Sequence, residues 1–112
     1  MNAVGLIVYP AADASKTKSF FATLLGTEPY VDSPYYIGFK VGDIEIGLDP
    51  NAASAEAIAY VTVADIKAAL AALLAAGAEK VQDVTDVSQG LLIAKLKTPD
   101  GALIGLRQFP NS

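Results

Sequence analysis

The sequence predicts an α+β fold built from two βαβββ repeats, and three observations predict it. The same order of segments occurs twice: an extended apolar run, an aspartate, a stretch with helical spacing, and a glycine. Each copy ends on the same tripeptide, Ile46-Gly47-Leu48 and Ile104-Gly105-Leu106. The runs before the first tripeptide alternate between apolar and polar residues, as strands with one buried face do. A repeated half of this kind predicts two related layers with a cleft where they meet.

The N-terminal copy begins with a strand and a helix. Residues 4–9 are β-branched and aromatic and stop at Pro10, which predicts the first strand. Asp13 is the predicted N-cap, because its carboxylate can accept from the free N–H groups of the first helical turn. Gly26 suits the left-handed position after the last turn, so the helix is expected to end there. The predicted buried stripe of this helix consists of Thr17, Phe20, Phe21, Leu24 and Leu25.

Strands complete the first copy. We expect a short strand over residues 27–31, a turn at residues 32–34, and a hairpin of residues 35–41 and 44–48 that turns at Gly42-Asp43. Residues 51–56 are small and polar and predict a connector between the copies. The chain is therefore expected to form one domain over residues 1–112, with βαβββ halves at 1–50 and 57–110.

The second copy repeats these signals. Residues 58–63 predict a strand, Asp65 an N-cap, and Gly77 the end of the second helix. The predicted apolar stripe of that helix consists of Ile66, Ala69, Leu70, Leu73 and Leu74. Three strands follow, at residues 80–84, 91–97 and 102–108, with a turn at residues 98–101. A ferredoxin-like βαββαβ sandwich has too few strands for this order and leaves the paired tripeptides unexplained.

Composition limits the function classes. With 53% apolar and 18% charged residues, 112 residues can bury a real core. The chain has no Cys and no His, so it lacks thiolate ligands, the commonest transition-metal ligand and the usual general base near neutral pH. A net charge of −4 argues against nucleic acid as a partner. Neither a membrane-spanning run nor a signal peptide is visible, so a cytoplasmic protein without a membrane partner is expected.

The layout resembles the vicinal oxygen chelate superfamily of glyoxalases, bleomycin resistance proteins and extradiol dioxygenases. The pieces that carry the resemblance are the strand, Asp13 and helix up to Gly26, the Val61-Thr62-Val63-Ala64-Asp65 opening of the second half, and the segment from Thr98 to Leu106. The resemblance implies that each half curls into a partly open sheet and that the halves enclose a cavity. It also implies a homodimer, in some members with halves exchanged between chains.

Metal-dependent members place His, Gln or Glu ligands in the first and last strands of each half. Those places fall here on Leu6, Gly47, Ile58 and Gly105, none of which can bind a metal through its side chain. A one-residue slip brings Glu45 nearby, which still supplies only one carboxylate. The sequence therefore predicts no metal and no cofactor.

Five residues are predicted to bind a ligand: Tyr36, Gly47, Tyr60, Gly105 and Arg107. The two tyrosines lie on strands that line the predicted cleft, and each combines an apolar ring with a hydroxyl. The two glycines either clear room for a flat ligand or serve as packing points where the halves touch. The alternative for the tyrosines is ordinary strand composition, since tyrosine is a good strand former.

Two charged residues are candidates for a site. Arg107 is two residues beyond Gly105 and so shares its face, where a guanidinium would grip a carboxylate or phosphate; a solvated side chain near the chain end is the alternative. Glu45 is the one candidate for a catalytic residue, as a general base or as a partner of Arg107. An exposed glutamate at an open sheet edge explains it without function.

The predicted function is binding of a small organic ligand, without a metal, in an apolar, tyrosine-lined cleft of a homodimer. The first alternative is a lyase, isomerase or dioxygenase of the same superfamily with atypical or absent metal ligands. A dimeric interaction or regulatory domain is the second alternative.

Overall fold

A computed structural model describes residues 1–110 and has the predicted element order. The elements are β1 Ala3–Pro10, α1 Ala14–Leu25, β2 Val31–Asp32, β3 Ile37–Val41, β4 Ile44–Asp49, β5 Ile58–Thr62, α2 Ile66–Ala75, β6 Glu79–Ser88, β7 Leu91–Lys97 and β8 Leu103–Gln108. The βαβββ order thus occurs twice, which confirms the predicted α+β fold class. The chain divides into two compact units, residues 5–58 and residues 1–4 with 59–112. The single domain with a connector at 51–56 stays a prediction.

The N-terminal unit has the strand order β2-β3-β4-β1. Strands β3 and β4 are antiparallel and place Gly38 opposite Gly47 and Lys40 opposite Glu45. Strands β1 and β4 are parallel. One face of this sheet packs on α1, and the core there consists of Ala11, Phe21, Ile37, Phe39 and Leu48, with Ile46 and Leu25 packed against it.

Helix α1 begins and ends where the sequence predicts. The Asp13 carboxylate accepts a hydrogen bond from the backbone N–H of Lys16 at 3.2 Å. Gly26 follows the last turn with a φ of 71°, a left-handed conformation that glycine adopts without steric cost. Both ends are therefore satisfied by the residue types that the sequence places there.

The predicted buried stripe of α1 is wrong at two positions. Phe21 is buried, but Phe20 and Leu24 are 61% and 63% exposed. The residues of α1 that pack toward the sheet are Ala14, Phe21, Ala22 and Leu25. The buried face of the helix is therefore narrower than the predicted one and rotated from it. Periodicity identifies an apolar helix, but where an apolar stripe is wide only the packed sheet decides which part of it is covered.

The C-terminal unit has the strand order β5-β8-β7-β6. Strands β5 and β8 are parallel and pair Tyr60 with Gly105 and Thr62 with Arg107. The core between this sheet and α2 consists of Val63, Ile66, Leu70, Ala94, Leu96 and Leu106. Asp65 accepts from the N–H of Ala68, and the Gln108 side-chain oxygen accepts from the N–H of Ile66 at 2.7 Å. The start of α2 is thus fixed by both a local cap and the last strand.

Three strands differ from the sequence prediction by two residues or more at one end. The strand predicted at residues 27–31 is only Val31–Asp32 in the structure. Strand β3 begins at Ile37 rather than at residue 35, because the Ser33 hydroxyl accepts from the N–H groups of Tyr35 and Tyr36 and prolongs the turn. Strand β6 extends to Ser88, since β7 pairs along its whole length with register shifts that absorb extra residues. In the part of the chain described, no helix is long and apolar enough to cross a membrane.

Candidate functional site

Glu45 lies at the centre of a hydrogen-bonded cluster on the N-terminal sheet. Its chain neighbour Ile46 packs toward α1, so alternation places Glu45 on the opposite face. The Tyr30 hydroxyl donates to Oε1 of Glu45 at 2.5 Å, and the Tyr36 hydroxyl donates to Oε2. Each carboxylate oxygen therefore accepts from one phenol, which fixes the orientation of the carboxylate plane. We call Tyr30, Tyr36 and Glu45 the carboxylate clamp.

Local structure brings both phenols to Glu45. Tyr30 precedes β2 and is held by its N–H, which donates to the carbonyl of Gly38 at 2.9 Å. Tyr36 follows the Ser33 turn, where the Ser33 hydroxyl also donates to the Tyr36 carbonyl at 3.0 Å. Both side chains consequently reach across β3 to the same residue of β4.

Two glycines allow the Tyr36 ring to lie against the sheet. A Cβ atom at Gly47 would lie 2.5 Å from the Tyr36 hydroxyl oxygen and 2.7 Å from Cε1 of its ring. A Cβ atom at Gly38 would lie 3.0 Å from Cε2 of the same ring and 3.0 Å from Oε2 of Glu45. Any larger residue would displace the ring, so these strand glycines have the role of admitting a close aromatic contact.

A cation lies beside the carboxylate clamp. Lys40 is directly opposite Glu45 in the β3–β4 pairing, yet its ammonium nitrogen lies over the Tyr30 ring, 4.9 Å from the ring centroid. Tyr30 is 52% exposed, so this edge of the clamp reaches solvent. The clamp therefore combines one carboxylate, two ring faces and an exposed side.

The C-terminal unit has an equivalent pair of residues, Tyr60 on Gly105. They are opposite each other in the β5–β8 pairing, and a Cβ atom at Gly105 would overlap the Tyr60 ring. Tyr60 is 5% exposed. Within each unit, then, a tyrosine ring covers the glycine of the repeated Ile-Gly-Leu tripeptide.

Arg107 is held in place rather than freely solvated. Its Nε donates to the Thr62 hydroxyl at 2.9 Å, and its guanidinium carbon lies 4.7 Å from the Phe109 ring centroid. These contacts leave the terminal nitrogens of the guanidinium as further donors. Arg107 thus remains a candidate for binding an anionic group, and its proposed pairing with Glu45 stays a prediction.

The predicted site residues lie in two groups, one in each unit, and five further residues contact them. Tyr36, Gly47 and Glu45 meet in the carboxylate clamp, whereas Tyr60, Gly105 and Arg107 lie on the β5–β8 pair of the other unit. The added residues are Tyr30, Gly38, Lys40, Thr62 and Phe109. The concentration of tyrosines outside the helices could have pointed to Tyr30, but the contact of Tyr30 with Glu45 depends on how β2 pairs with β3.

The donor set does not fit the metal that the superfamily's enzymes use. Leu6, which pairs with Glu45, and Gly47 offer no side-chain donor, and the same is true of Ile58 and Gly105. Within residues 1–110, no three His, Cys, Asp or Glu side chains converge as a metal-binding group. A single carboxylate does not meet the coordination that a divalent ion requires.

A separate groove of about 540 Å³ lies between α2 and strands β6 and β7. Its lining residues are Lys67, Leu70, Ala71, Leu74, Lys80, Asp83, Val84 and Leu92, and none of them is a predicted site residue. The Val84 N–H donates to the Asp83 carboxylate at 2.8 Å and Lys80 pairs with it at 3.2 Å, and together they lower the pKa of Asp83. Three of the residues that the sequence predicts for a site lie in or beneath the carboxylate clamp and none lies in the groove, so the clamp is the stronger candidate for a ligand site.

The chain belongs to the Glyoxalase/Bleomycin resistance protein/Dioxygenase superfamily, whose family model matches residues 3–106. The resemblance seen in the sequence is thereby confirmed. A search of curated proteins finds no match to this chain.

Several solved structures share the fold. The hypothetical protein BH1468 from Bacillus halodurans C-125 has a TM-score of 0.78 at 15% identity, over 99% of this chain and 96% of that one. A glyoxalase/bleomycin resistance protein/dioxygenase superfamily member from Vibrio splendidus 12B01 has a TM-score of 0.71 at 17% identity, over 96% and 99%. Streptomyces coelicolor methylmalonyl-CoA epimerase, in complex with 2-nitronate-propionyl-CoA, has a TM-score of 0.72 at 18% identity, over 96% and 97%. Identities this low show a common fold and leave function open.

Proposed function

We propose that this protein binds a small organic molecule, without a metal, in an apolar, tyrosine-lined cleft whose wall includes the N-terminal sheet face. The observation that supports this most is the Tyr36 ring, laid on Gly38 and Gly47 with its hydroxyl on Glu45. Ligand sites combine apolar and aromatic walls with a few fixed polar groups, and the carboxylate clamp has both.

The absence of a fitting donor set at the family's ligand positions supports binding in preference to metal chemistry. Leu6, Gly47, Ile58 and Gly105 can contribute only apolar surface or space. A ligand beside Leu6 and Gly47 of the N-terminal unit would contact an aliphatic side chain and the Tyr36 ring, which suits van der Waals contact with a flat or apolar molecule.

Titration of the isotopically labelled protein with phenol tests this proposal. Phenol has an apolar ring and one hydroxyl, so it should shift the backbone amide signals of Gly38 and Gly47. Tyr36→Ala should remove that response, whereas Tyr35→Ala should leave it unchanged, because Tyr35 is 78% exposed and outside the clamp. Equal phenol binding by both variants, or shifts confined to Leu74 and Val84 of the separate groove, would contradict the proposal.

An enzymatic role for Glu45 is the second candidate function. The observation in its favour is that two phenols hold the carboxylate in one orientation, as a general base requires. Glu45 would remove the proton next to a carbonyl, leaving the electron pair in an enolate, and a solvent proton would then return to that carbon.

Proton exchange distinguishes the two functions. Methylmalonyl-CoA, the substrate named for one protein of this fold, can be incubated with the purified protein in deuterated water. The binding proposal predicts no deuterium uptake above the protein-free rate. Uptake that Glu45→Gln abolishes would establish catalysis and displace the binding proposal.

A further inference from the structure

We propose that the carboxylate clamp recognises a cationic nitrogen, such as an amidinium, guanidinium or ammonium group, on an aromatic or apolar ligand. This inference rests on the proposed function and adds to it the chemical class of the ligand. It concerns Tyr30, Tyr36 and Glu45, together with the neighbouring Lys40.

The negative charge of the clamp favours a ligand that donates hydrogen bonds. Glu45 is its single formal anion, and both phenols donate toward that carboxylate. An ionised carboxylate has about four lone-pair sites and accepts only, so about two sites remain beyond those that the phenols occupy. A planar cation with parallel N–H groups matches such an acceptor better than a hydroxyl does.

The aromatic rings favour the same class of ligand. A cation over the face of a tyrosine ring is attracted by the ring quadrupole. Tyr36 lies on Gly38 and Gly47, and Tyr30 is about half exposed next to it. A cationic nitrogen bound at Glu45 therefore has ring surface beside it as well as a carboxylate.

Lys40 places a cation of the protein itself beside the carboxylate clamp. Its ammonium lies 4.9 Å from the centre of the Tyr30 ring, and the residue is exposed and attached to an adjacent strand. A cation in that position has the geometry that the attraction of a tyrosine ring for positive charge favours. The Lys40 ammonium would compete with a cationic ligand for the Tyr30 ring and would repel it. Removing the charge of Lys40 should therefore strengthen the binding of a cationic ligand.

An anionic ligand would have the opposite dependence. A carboxylate at the clamp would be repelled by Glu45 and attracted only by the flexible Lys40, and removing the charge of Lys40 would weaken its binding. A neutral ligand would respond to neither charge. The sign of the Lys40 effect therefore separates the three ligand classes.

The experiment compares three probes of nearly the same shape: benzamidinium, benzamide and benzoate. Each is titrated at low salt into the labelled full chain, and the dissociation constant is read from the amide signals of Gly38, Glu45 and Gly47. Benzamidinium should bind about tenfold more tightly than benzamide, the effect of one added charge-assisted hydrogen bond. Benzoate should not perturb these signals.

Two variants and one control assign the effect to the clamp. Glu45→Gln should remove the preference for benzamidinium, and Lys40→Gln should raise benzamidinium affinity severalfold. Glu56→Gln, which makes the same change of charge at an exposed position in the segment before β5, should leave the preference intact. Amide spectra of each variant show whether the fold is kept, and Lys40→Gln supplies an independent result if Glu45→Gln fails to fold.

The outcomes separate this inference from the proposed function. Equal binding of benzamide and benzamidinium, unchanged in Glu45→Gln, overturns the cationic class while aromatic binding at Tyr36 stands. Benzoate binding that Lys40→Gln weakens overturns it in favour of an anion site. No response to any of the three probes also overturns it, and the phenol titration then decides the proposed function by itself.

Discussion

Alanine at the two tripeptide glycines should have unequal costs, although both positions lie beneath a tyrosine ring. A Cβ atom at Gly47 would approach the hydroxyl, Cζ and Cε1 of Tyr36, at 2.5 to 2.9 Å. These atoms are the far end of a partly exposed side chain, so the ring can swing away. At Gly105 the overlapping atoms include Cγ of Tyr60, at 2.8 Å, and that ring is 5% exposed. Cγ is only two bonds from Cα and so moves less than the hydroxyl end of a ring, and a buried ring has no free direction in which to move.

The magnitudes follow from these contacts. Gly47→Ala loses the hydrogen bond from Tyr36 to the Glu45 carboxylate, worth about 1.5–3 kcal/mol at most, and regains about 0.5–1 kcal/mol from replacing a strand glycine. We expect a net loss of about 1 kcal/mol. Gly105→Ala causes overpacking at the upper end of about 1–3 kcal/mol, because the site cannot relax, and regains the same contribution of about 0.5–1 kcal/mol, so we expect a net loss of about 2 kcal/mol.

Urea unfolding of the two variants measures this difference. With an m-value of about 2 kcal/mol per molar urea, Gly105→Ala should unfold at a midpoint about 0.5 M lower than Gly47→Ala. As a control, Gly47→Ala should be neutral or stabilising when Tyr36 is already alanine, because the colliding ring is gone. An equal midpoint for both variants, or an undiminished cost of Gly47→Ala without Tyr36, would refute the argument that the rings lie on these glycines.

Three further predictions test other parts of the structure. The purified protein should contain no stoichiometric transition metal by elemental mass spectrometry, and chelator should leave phenol binding unchanged; a tightly held metal at one per chain contradicts the metal-free proposal. The pKa of Asp83 should lie below 3.8 by carboxyl-carbon NMR, because the Val84 N–H and Lys80 favour its charged form. The small stabilising effect of ionised Asp83 is present above its unfolded-state pKa and is lost as pH falls through its folded-state pKa. Because Lys80 favours the charged form, Lys80→Ala should raise the pKa of Asp83, and an unchanged pKa would rule out this contribution of Lys80. Light scattering after size exclusion should give twice the chain mass of 11.6 kDa, and a monomer at all concentrations would remove the proposed homodimer.

Signals that act over a few residues were read correctly from the sequence. The two caps at Asp13 and Asp65 depend on a side chain and a backbone N–H three residues apart, so the local sequence is enough to predict them. If Ile46 and Leu48 pack toward α1, strand alternation places Glu45 and Gly47 on the opposite face, and the structure has both apolar residues in or against the core beside α1.

Features that depend on pairing between distant segments were not predicted. The link from Tyr30 to Glu45 requires the register of a two-residue strand, β2, on β3. The hydrogen bond from Arg107 to Thr62 joins residues 45 positions apart, through the parallel pairing of β5 with β8. The outward side of α1, with Phe20 and Leu24, depends on how much of the helix the sheet covers. Propensity and periodicity do not encode any of these.

The most direct test of the account is a crystal structure of the protein purified from its native host. The account predicts an organic molecule in contact with Tyr36 and Glu45, and no ion bound by side chains at Leu6, Gly47, Ile58 or Gly105. A metal ion coordinated by side chains at any of these positions, or a Tyr36 ring lifted from Gly47 with Glu45 unbound by phenols, would contradict it.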